Sequence, residues 1–193
     1  IQWCAGCGDT LIIGAIKKAF QELKIVSHER VVISGVGCSG KASQYIDGYA
    51  AETLHGRTLP FATGVKMSKP KMTVMAIGGD GDGYGIGMGH FIHSCKRDLN
   101  ITYIVMDNEN YALTTGQASP TTSIGAKTKT TPDGNLSKPF DPIAIAKKAG
   151  CSFAKIANSI EFMEMKEIIK KAIKHEGFSV VNISQACPSF KKW

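Results

Sequence analysis

Three short apolar runs, each closing on glycine, carboxylate or amide residues, constrain this chain more than any other feature. Residues 31–34 lead into Gly35-Val36-Gly37, residues 71–79 into Asp80-Gly81-Asp82-Gly83, and residues 101–107 into Asn108. Nearly unbroken apolar stretches of that length fit strands buried on both faces, and glycines at their ends let the backbone turn sharply. Such strands belong to parallel sheets, whose connections need a crossover; residues 84–96 supply one as a helix. Upstream, residues 10–23 place Leu11, Ala15, Ile16 and Phe20 on one helical face, with Asp9 as the expected cap. Downstream, residues 141–150 predict a short helix with Pro142 in its first turn and Gly150 as its stop. A strand over 151–156, a Lys/Glu-rich helix over 160–175 and a last strand over 178–183 follow. Residues 112–135, rich in Thr, Ser, Gly and Lys, read as a long closing loop. The alternation predicts an α/β fold: one domain over 1–193 around an open, doubly wound, mostly parallel sheet.

Composition narrows the function. The chain has 193 residues, 43% hydrophobic and 20% charged, enough for a core and unlike a disordered chain. Its 23 Lys+Arg against 16 Asp+Glu give +7, but the lysines are spread out, so nucleic acid is not the expected partner. The charge suits an anionic ligand: a phosphate cofactor, an acyl carrier or an acidic protein. No apolar run approaches the roughly 18 residues of a membrane span, and no leader opens the chain, so a soluble cytoplasmic protein without membrane contact is expected. Ile1 at the start, and Trp193 soon after Cys187-Pro188, read as cuts in a longer product. Six cysteines in such a chain point to metal before disulfides.

Ligands of doubly wound sheets sit past the carboxyl ends of the strands. There, residues 35–42 match seven of the eight positions of a phosphate-cradling P-loop, but Ala42 replaces the hydroxyl that would bind magnesium. The glycines at 79, 81, 83, 85, 87 and 89 contain no dinucleotide register. Asp80 and Asp82 among glycines would let a phosphate approach while a carboxylate offers a hard oxygen to magnesium, with Asn108 and the Asn110 carbonyl as further ligands; an ordinary Gly-Asp turn is the plain alternative. Cys4 and Cys7 form a C-x-x-C before a helix, Cys38 lies in the first glycine loop, and Cys187 follows the last strand. Four thiolates gathered from these points suit zinc or an iron-sulfur cluster equally. Cys95 and Cys151 read as small apolar residues.

Together these pieces resemble the thiamine diphosphate-binding β subunit of 2-oxoacid:ferredoxin oxidoreductases. The resemblance rests on residues 3–8 (WCAGCG), 37–40 (GCSG), 55–64 (HGRTLPFATG), 79–82 (GDGD) and 107–117 (DNENYALTTGQ), in order along nearly the whole chain. It implies thiamine diphosphate at a subunit interface, lined by Val36, Gly37, Cys38, Ser39, His55, Gly81, Asp82, Ala112 and Leu113. It implies Mg2+ on Asp80, Asn108 and Asn110, and a [4Fe-4S] cluster on Cys4, Cys7, Cys38 and Cys187. The implied reaction is CoA-dependent oxidative decarboxylation of a 2-oxoacid to acyl-CoA and CO2, with electrons leaving through the cluster to ferredoxin. The implied partner is an α or αγ subunit, which also brings the activating glutamate, so the assembly is a hetero-oligomer. His55 and Lys41 are the expected contacts to the 2-oxoacid or CoA. A non-oxidative thiamine-dependent decarboxylase and a P-loop-like module with structural zinc are the alternatives.

Two departures from the family pattern bear on substrate and length. Members acting on 2-oxoglutarate often carry Lys where this chain has Thr115, and pyruvate-type members tend to have Asn at Leu113. Family β subunits also continue well beyond the Cys-Pro pair, whereas this chain stops at Trp193.

Overall fold

The computed structural model describes residues 2–191. In chain order the elements are α1 (Gly8–Glu22), β1 (Arg30–Ser34), β2 (Tyr49–Glu52), α2 (Thr58–Ser68), β3 (Thr73–Gly79), α3 (Met88–Arg97), β4 (Ile101–Asp107), β5 (Asn110–Tyr111), β6 (Gln117–Ala118), α4 (Pro142–Lys148), β7 (Phe153–Asn158), α5 (Phe162–Lys174) and β8 (Phe178–Ser184). Six strands pair in the order β2, β1, β3, β4, β8, β7, and every pair is parallel. The short strands β5 and β6 form a separate antiparallel ribbon.

Alternation along each strand feeds two cores. β3 sends Met75 and Ile77 to one face and Val74 and Ala76 to the other; β8 divides Val181 and Ile183 from Phe178 and Val180 in the same way. The first face is covered by α1 and α5 through Ile12, Ile16, Phe20, Met165 and Ile169. The second lies under α2, α3 and α4, with Leu59, Phe91, Ile143 and Ala146 as its knobs. Burial on both faces explains why these strands read as continuous apolar runs.

Several expectations shift. Asp9 does not cap α1: the helix starts at Gly8, Cys7 occupies the cap position without a side-chain bond, and Asp9 is turned inward at 1% exposure. The crossover over 84–96 opens with a π-helical turn at Gly81–Ile86 and straightens only at Met88. The strand expected over 151–156 begins at Phe153, because the Cys151 N–H is used on the Ala146 carbonyl (2.9 Å), finishing α4. The P-loop reading also falls: residues 39–45 form a 3-10 turn rather than a phosphate-binding helix, and Ala42 is fully buried. Two elements, β2 and α2, had no clear sequence signal. β2 is a largely exposed edge strand, and α2 mixes Pro60 and Gly64 with β-branched residues.

The chain leaves β1 for β2 on one side and returns to β3 on the other. The sheet therefore has a topological switch point at the carboxyl ends of β1 and β3, where doubly wound folds open a crevice.

Candidate functional site

A cavity of about 180 Å³ fills that crevice. Val36, Gly37, Cys38 and Ser39 enter it after β1, His55 after β2, Asp80, Gly81 and Asp82 after β3, Asn108 after β4, and Asn110, Ala112 and Leu113 from the ribbon segment. The residues nominated for the cofactor and for magnesium thus border one space. A second cavity, also about 180 Å³, is lined by Cys4, Cys7, Cys38 and Cys187 together with Trp3, Lys41 and Gln185. Cys38 borders both. Lys41 faces the thiol cavity, with its ammonium 3.4 Å from the Gln2 carbonyl, and not the phosphate side of the loop.

The two aspartates do different work. Asp82 Oδ1 accepts from the backbone N–H groups of Gly56 (2.8 Å) and Val36 (3.1 Å) and lies 3.0 Å from His55 Nδ1. Its carboxylate packs against Gly35, where a Cβ would collide with it, so Asp82 ties three loops together and positions His55 at the rim. Asp80, 2% exposed, accepts from the Thr121 hydroxyl at 2.9 Å, and that hydroxyl is also 2.8 Å from Asp107. Burial, and then the Asp107 charge, push the Asp80 carboxyl up to about 7. A divalent cation would relieve both effects, because it replaces lost water and neutralises the pair.

The neighbouring donors suit a hard ion. Asn108 Oδ1 accepts from the Asn110 N–H at 3.1 Å, which closes a tight turn after β4, while Asn110 Oδ1 is buried without a partner. Asp80, Asn108 and Asn110 all border the cavity, and a carboxylate, an amide oxygen and the expected Asn110 carbonyl are hard donors of the kind magnesium takes. At Gly81 a Cβ would strike the Tyr111 ring, so only glycine lets that ring pack against the segment. The Tyr111 hydroxyl donates to the Gly81 carbonyl at 3.3 Å, fixing the π turn that aims Asp80 and Asp82 inward.

The thiol cavity has a soft donor set. Burial raises the Cys7 thiol to about 12 and the Cys38 thiol to about 11, with the charge of Asp9 as the next cause in each. Gln185 Nε2 donates to Cys7 Sγ and the Ser189 hydroxyl to Cys4 Sγ, each at 3.1 Å. Such bonds to sulfur are found around iron-sulfur clusters, whose potential they tune. Among the described residues no three His, Cys, Asp or Glu side chains stand as a closed ligand group. The four thiols line the cavity, and by type and number they are the donors a soft metal centre takes. Cys95 and Cys151 are buried apart from it, at 1% and 5% exposure.

Some residues of the site carried no usable signal in the sequence. Asp9 lines the cofactor cavity with one carboxylate oxygen unpartnered, and burial raises its carboxyl to about 6. An acid two positions after a C-x-x-C was its only trace. Thr121 and Asn182, which donates to Asp107 at 3.0 Å, come from remote segments and had none.

Residues 31–183 match the family model described as "Thiamine pyrophosphate enzyme, C-terminal TPP binding domain". The 2-oxoacid:ferredoxin oxidoreductase subunit beta of Saccharolobus solfataricus is 44% identical over 190 residues, 97% of this chain and 62% of that protein. The 2-oxoglutarate synthase subunit KorB of Archaeoglobus fulgidus is 42% identical over 194 residues, 98% of this chain and 71% of its own length. The chain belongs to the β-subunit family of the 2-oxoacid:ferredoxin oxidoreductases.

Within that family the likeness extends to three dimensions. A solved 2-oxoglutarate:ferredoxin oxidoreductase from Magnetococcus marinus, with 2-oxoglutarate, coenzyme A and succinyl-CoA bound, superposes with a TM-score of 0.97 at 40% identity, over 99% of this chain and 66% of that one. This chain spans roughly three fifths to seven tenths of the length of these relatives. No helix among the described residues is long and apolar enough to cross a membrane.

Proposed function

We propose that this chain is the cofactor-binding β subunit of a cytoplasmic 2-oxoacid:ferredoxin oxidoreductase, forming acyl-CoA and CO2 from a 2-oxoacid and CoA and passing electrons to ferredoxin. The observation that carries the reading is the shared wall. A cavity with hard oxygen donors, on a thiamine pyrophosphate-binding fold, meets a four-cysteine cavity at Cys38. A non-oxidative decarboxylase would have no use for the second cavity.

In this reading Asp80, Asn108 and Asn110 would hold Mg2+, and the loop at Gly37 and the Gly81 segment would line the diphosphate. Thiamine diphosphate, when bound, supplies a carbanion at its thiazolium and an electron sink for decarboxylation. His55, oriented by Asp82, stands at the cavity rim where a substrate carboxylate or CoA would enter. Ala112 and Leu113 add apolar surface to the cavity lining. Cys4, Cys7, Cys38 and Cys187 would hold a [4Fe-4S] cluster in the cavity that shares Cys38 with the cofactor cavity, and it would supply one-electron transfer. The described cysteines are all unpaired, which suits metal ligation in a reducing compartment.

The wall contributed by this chain leaves the cofactor cavity open, and an α or αγ partner would close it and bring the activating glutamate. Anaerobically purified complex, given thiamine diphosphate, Mg2+, CoA and a panel of 2-oxoacids, should reduce ferredoxin and release CO2. The chain without its partner should show no turnover. Full activity from the isolated chain, or tight ATP binding with stoichiometric zinc and no thiamine diphosphate, would overturn the reading.

A further inference from the structure

The Thr-, Ser- and Lys-rich stretch after the ribbon is a folded, docked loop. Its base closes through Gly125 N–H to the Asn135 carbonyl (2.7 Å) and Asn135 N–H to the Ala126 carbonyl (2.9 Å), and Thr128 and Thr131 exchange backbone bonds at 3.2 Å. It is pinned to the β5–β6 ribbon by Lys129 N–H on the Gly116 carbonyl (2.9 Å) and by Ala118 N–H on Thr130 Oγ1 (3.0 Å). That docking brings the Lys129 ammonium onto the Thr115 hydroxyl. Thr115 itself sits at φ 75°, a left-handed conformation that a β-branched residue reaches only at a cost. Strain of this kind gathers where function sets the backbone.

Between loop and ribbon lies a third cavity, of about 220 Å³, lined by Lys127, Thr128, Lys129, Thr115, Asn110 and Ser189 among others. It meets the cofactor cavity at Asn110 and the thiol cavity at Thr115 and Ser189. Two lysines and three hydroxyl-bearing residues line it, and no acidic residue does. Lys166, Lys170 and Lys191 each reach a glutamate, whereas neither Lys127 nor Lys129 has a carboxylate partner among the described residues. The cofactor cavity has the opposite character: Asp9, Asp80 and Asp82 line it and no Lys or Arg does. An anionic group beyond the reacting end of a substrate would therefore meet no Lys or Arg there, whereas the adjoining cavity is lined by two lysines.

Resting on the function proposed above, we infer that the Lys127–Lys129 cavity is an oxyanion subsite for one of the two substrates. It holds either a phosphate of coenzyme A or the second carboxylate of a dicarboxylic 2-oxoacid; both present several acceptor oxygens to the same donors. The charge excess of the chain thus has one local use beside the cofactor site.

The test uses the assembled complex with Lys127→Met, Lys129→Met, the double variant and Lys129→Arg. Two preferences are read from kcat/KM: CoA over pantetheine, and dicarboxylic over monocarboxylic 2-oxoacids. One preference should fall about tenfold for each lysine removed, mostly through KM, and Lys129→Arg should restore most of it. A loss of the CoA preference assigns the subsite to phosphate, and a loss of the dicarboxylate preference assigns it to the 2-oxoacid. Both preferences unchanged in a double variant that still turns over would overturn the inference; the single variants serve if the double one is unstable. A wild-type complex that turns over no 2-oxoacid would instead overturn the function on which the inference rests.

Discussion

At the scale of single residues, the cavity depends on groups that hold its buried carboxylates as much as on the carboxylates themselves. One Thr121 hydroxyl stands within hydrogen-bond distance of two buried carboxylates, Asp80 at 2.9 Å and Asp107 at 2.8 Å. Thr121→Val removes that donor and lets Asp80 turn away from the amide oxygens of the turn after β4. Mg2+-dependent binding of thiamine diphosphate should weaken by about 10- to 100-fold in calorimetric titration, the usual cost of losing a group that orients a metal ligand. Unchanged affinity would show that Thr121 has no part in the site. The cysteines allow a sharper dissection, since Cys187 borders only the thiol cavity while Cys38 borders both. Cys187→Ala should lose iron and visible absorbance in anaerobic preparations yet keep thiamine diphosphate affinity; Cys38→Ala should lose iron and weaken the cofactor as well. Unchanged cofactor affinity in Cys38→Ala would contradict the shared wall. Asp80 was legible because glycines on both sides mark a close backbone approach. Thr121 was not, since one Thr in a Thr-rich loop looks like its neighbours until the fold sets it beside a residue 41 positions away.

At the scale of elements, the runs buried on both faces were the easiest to read. β4 occupies the full 101–107 run because all seven residues are buried and amide side chains bound it at Asn100 and Asn108. β2 and α2 escaped notice because an edge strand needs little apolar pattern, and α2 owes its form to packing on β3 and not to its own propensity. Asp9 was misread because a short polar residue before an amphipathic face is the ordinary signature of a cap; the Cys-x-x-Cys turn takes that role and leaves the acid facing inward. The packing of α1 on α5 is clamped by Glu22, whose oxygens lie 2.8 Å from Lys166 Nζ and 2.7 Å from Lys170 Nζ. Hydrogen bonds from Lys166 and then Lys170 hold its carboxyl down to about 2. A folded-state value below the ordinary one means that the clamp contributes fully above about pH 4.5 and is lost as pH falls toward 2. The thermal stability of the wild type should exceed that of Glu22→Gln at neutral pH, and the gap should close over that acidic window. A gap that stays constant down to pH 2 would contradict the clamp.

At the scale of the whole molecule, one sheet order explains why scattered residues meet. Parallel strands end side by side, so the segments after β1, β3 and β4 share one crevice, and β8 delivers Cys187 toward the amino end of α1, where Cys4 and Cys7 wait. That convergence was inferable from the doubly wound pattern, although the strand order itself was not, because apolar runs do not say which neighbour they choose. The oxyanion subsite was invisible for a similar reason: Lys127 and Lys129, exposed in the fold as well, are set beside the ribbon only because the loop folds back on Gly116. The central claim is that four sulfur atoms gather beside a magnesium-bridged diphosphate. An anaerobic crystal structure of the assembled enzyme, grown with thiamine diphosphate and Mg2+, tests it most directly. The account predicts the ion on Asp80, Asn108 and Asn110 and an iron-sulfur cluster on Cys4, Cys7, Cys38 and Cys187. A diphosphate bound away from Asp80, or Cys187 remaining outside the cluster's ligands, would contradict it.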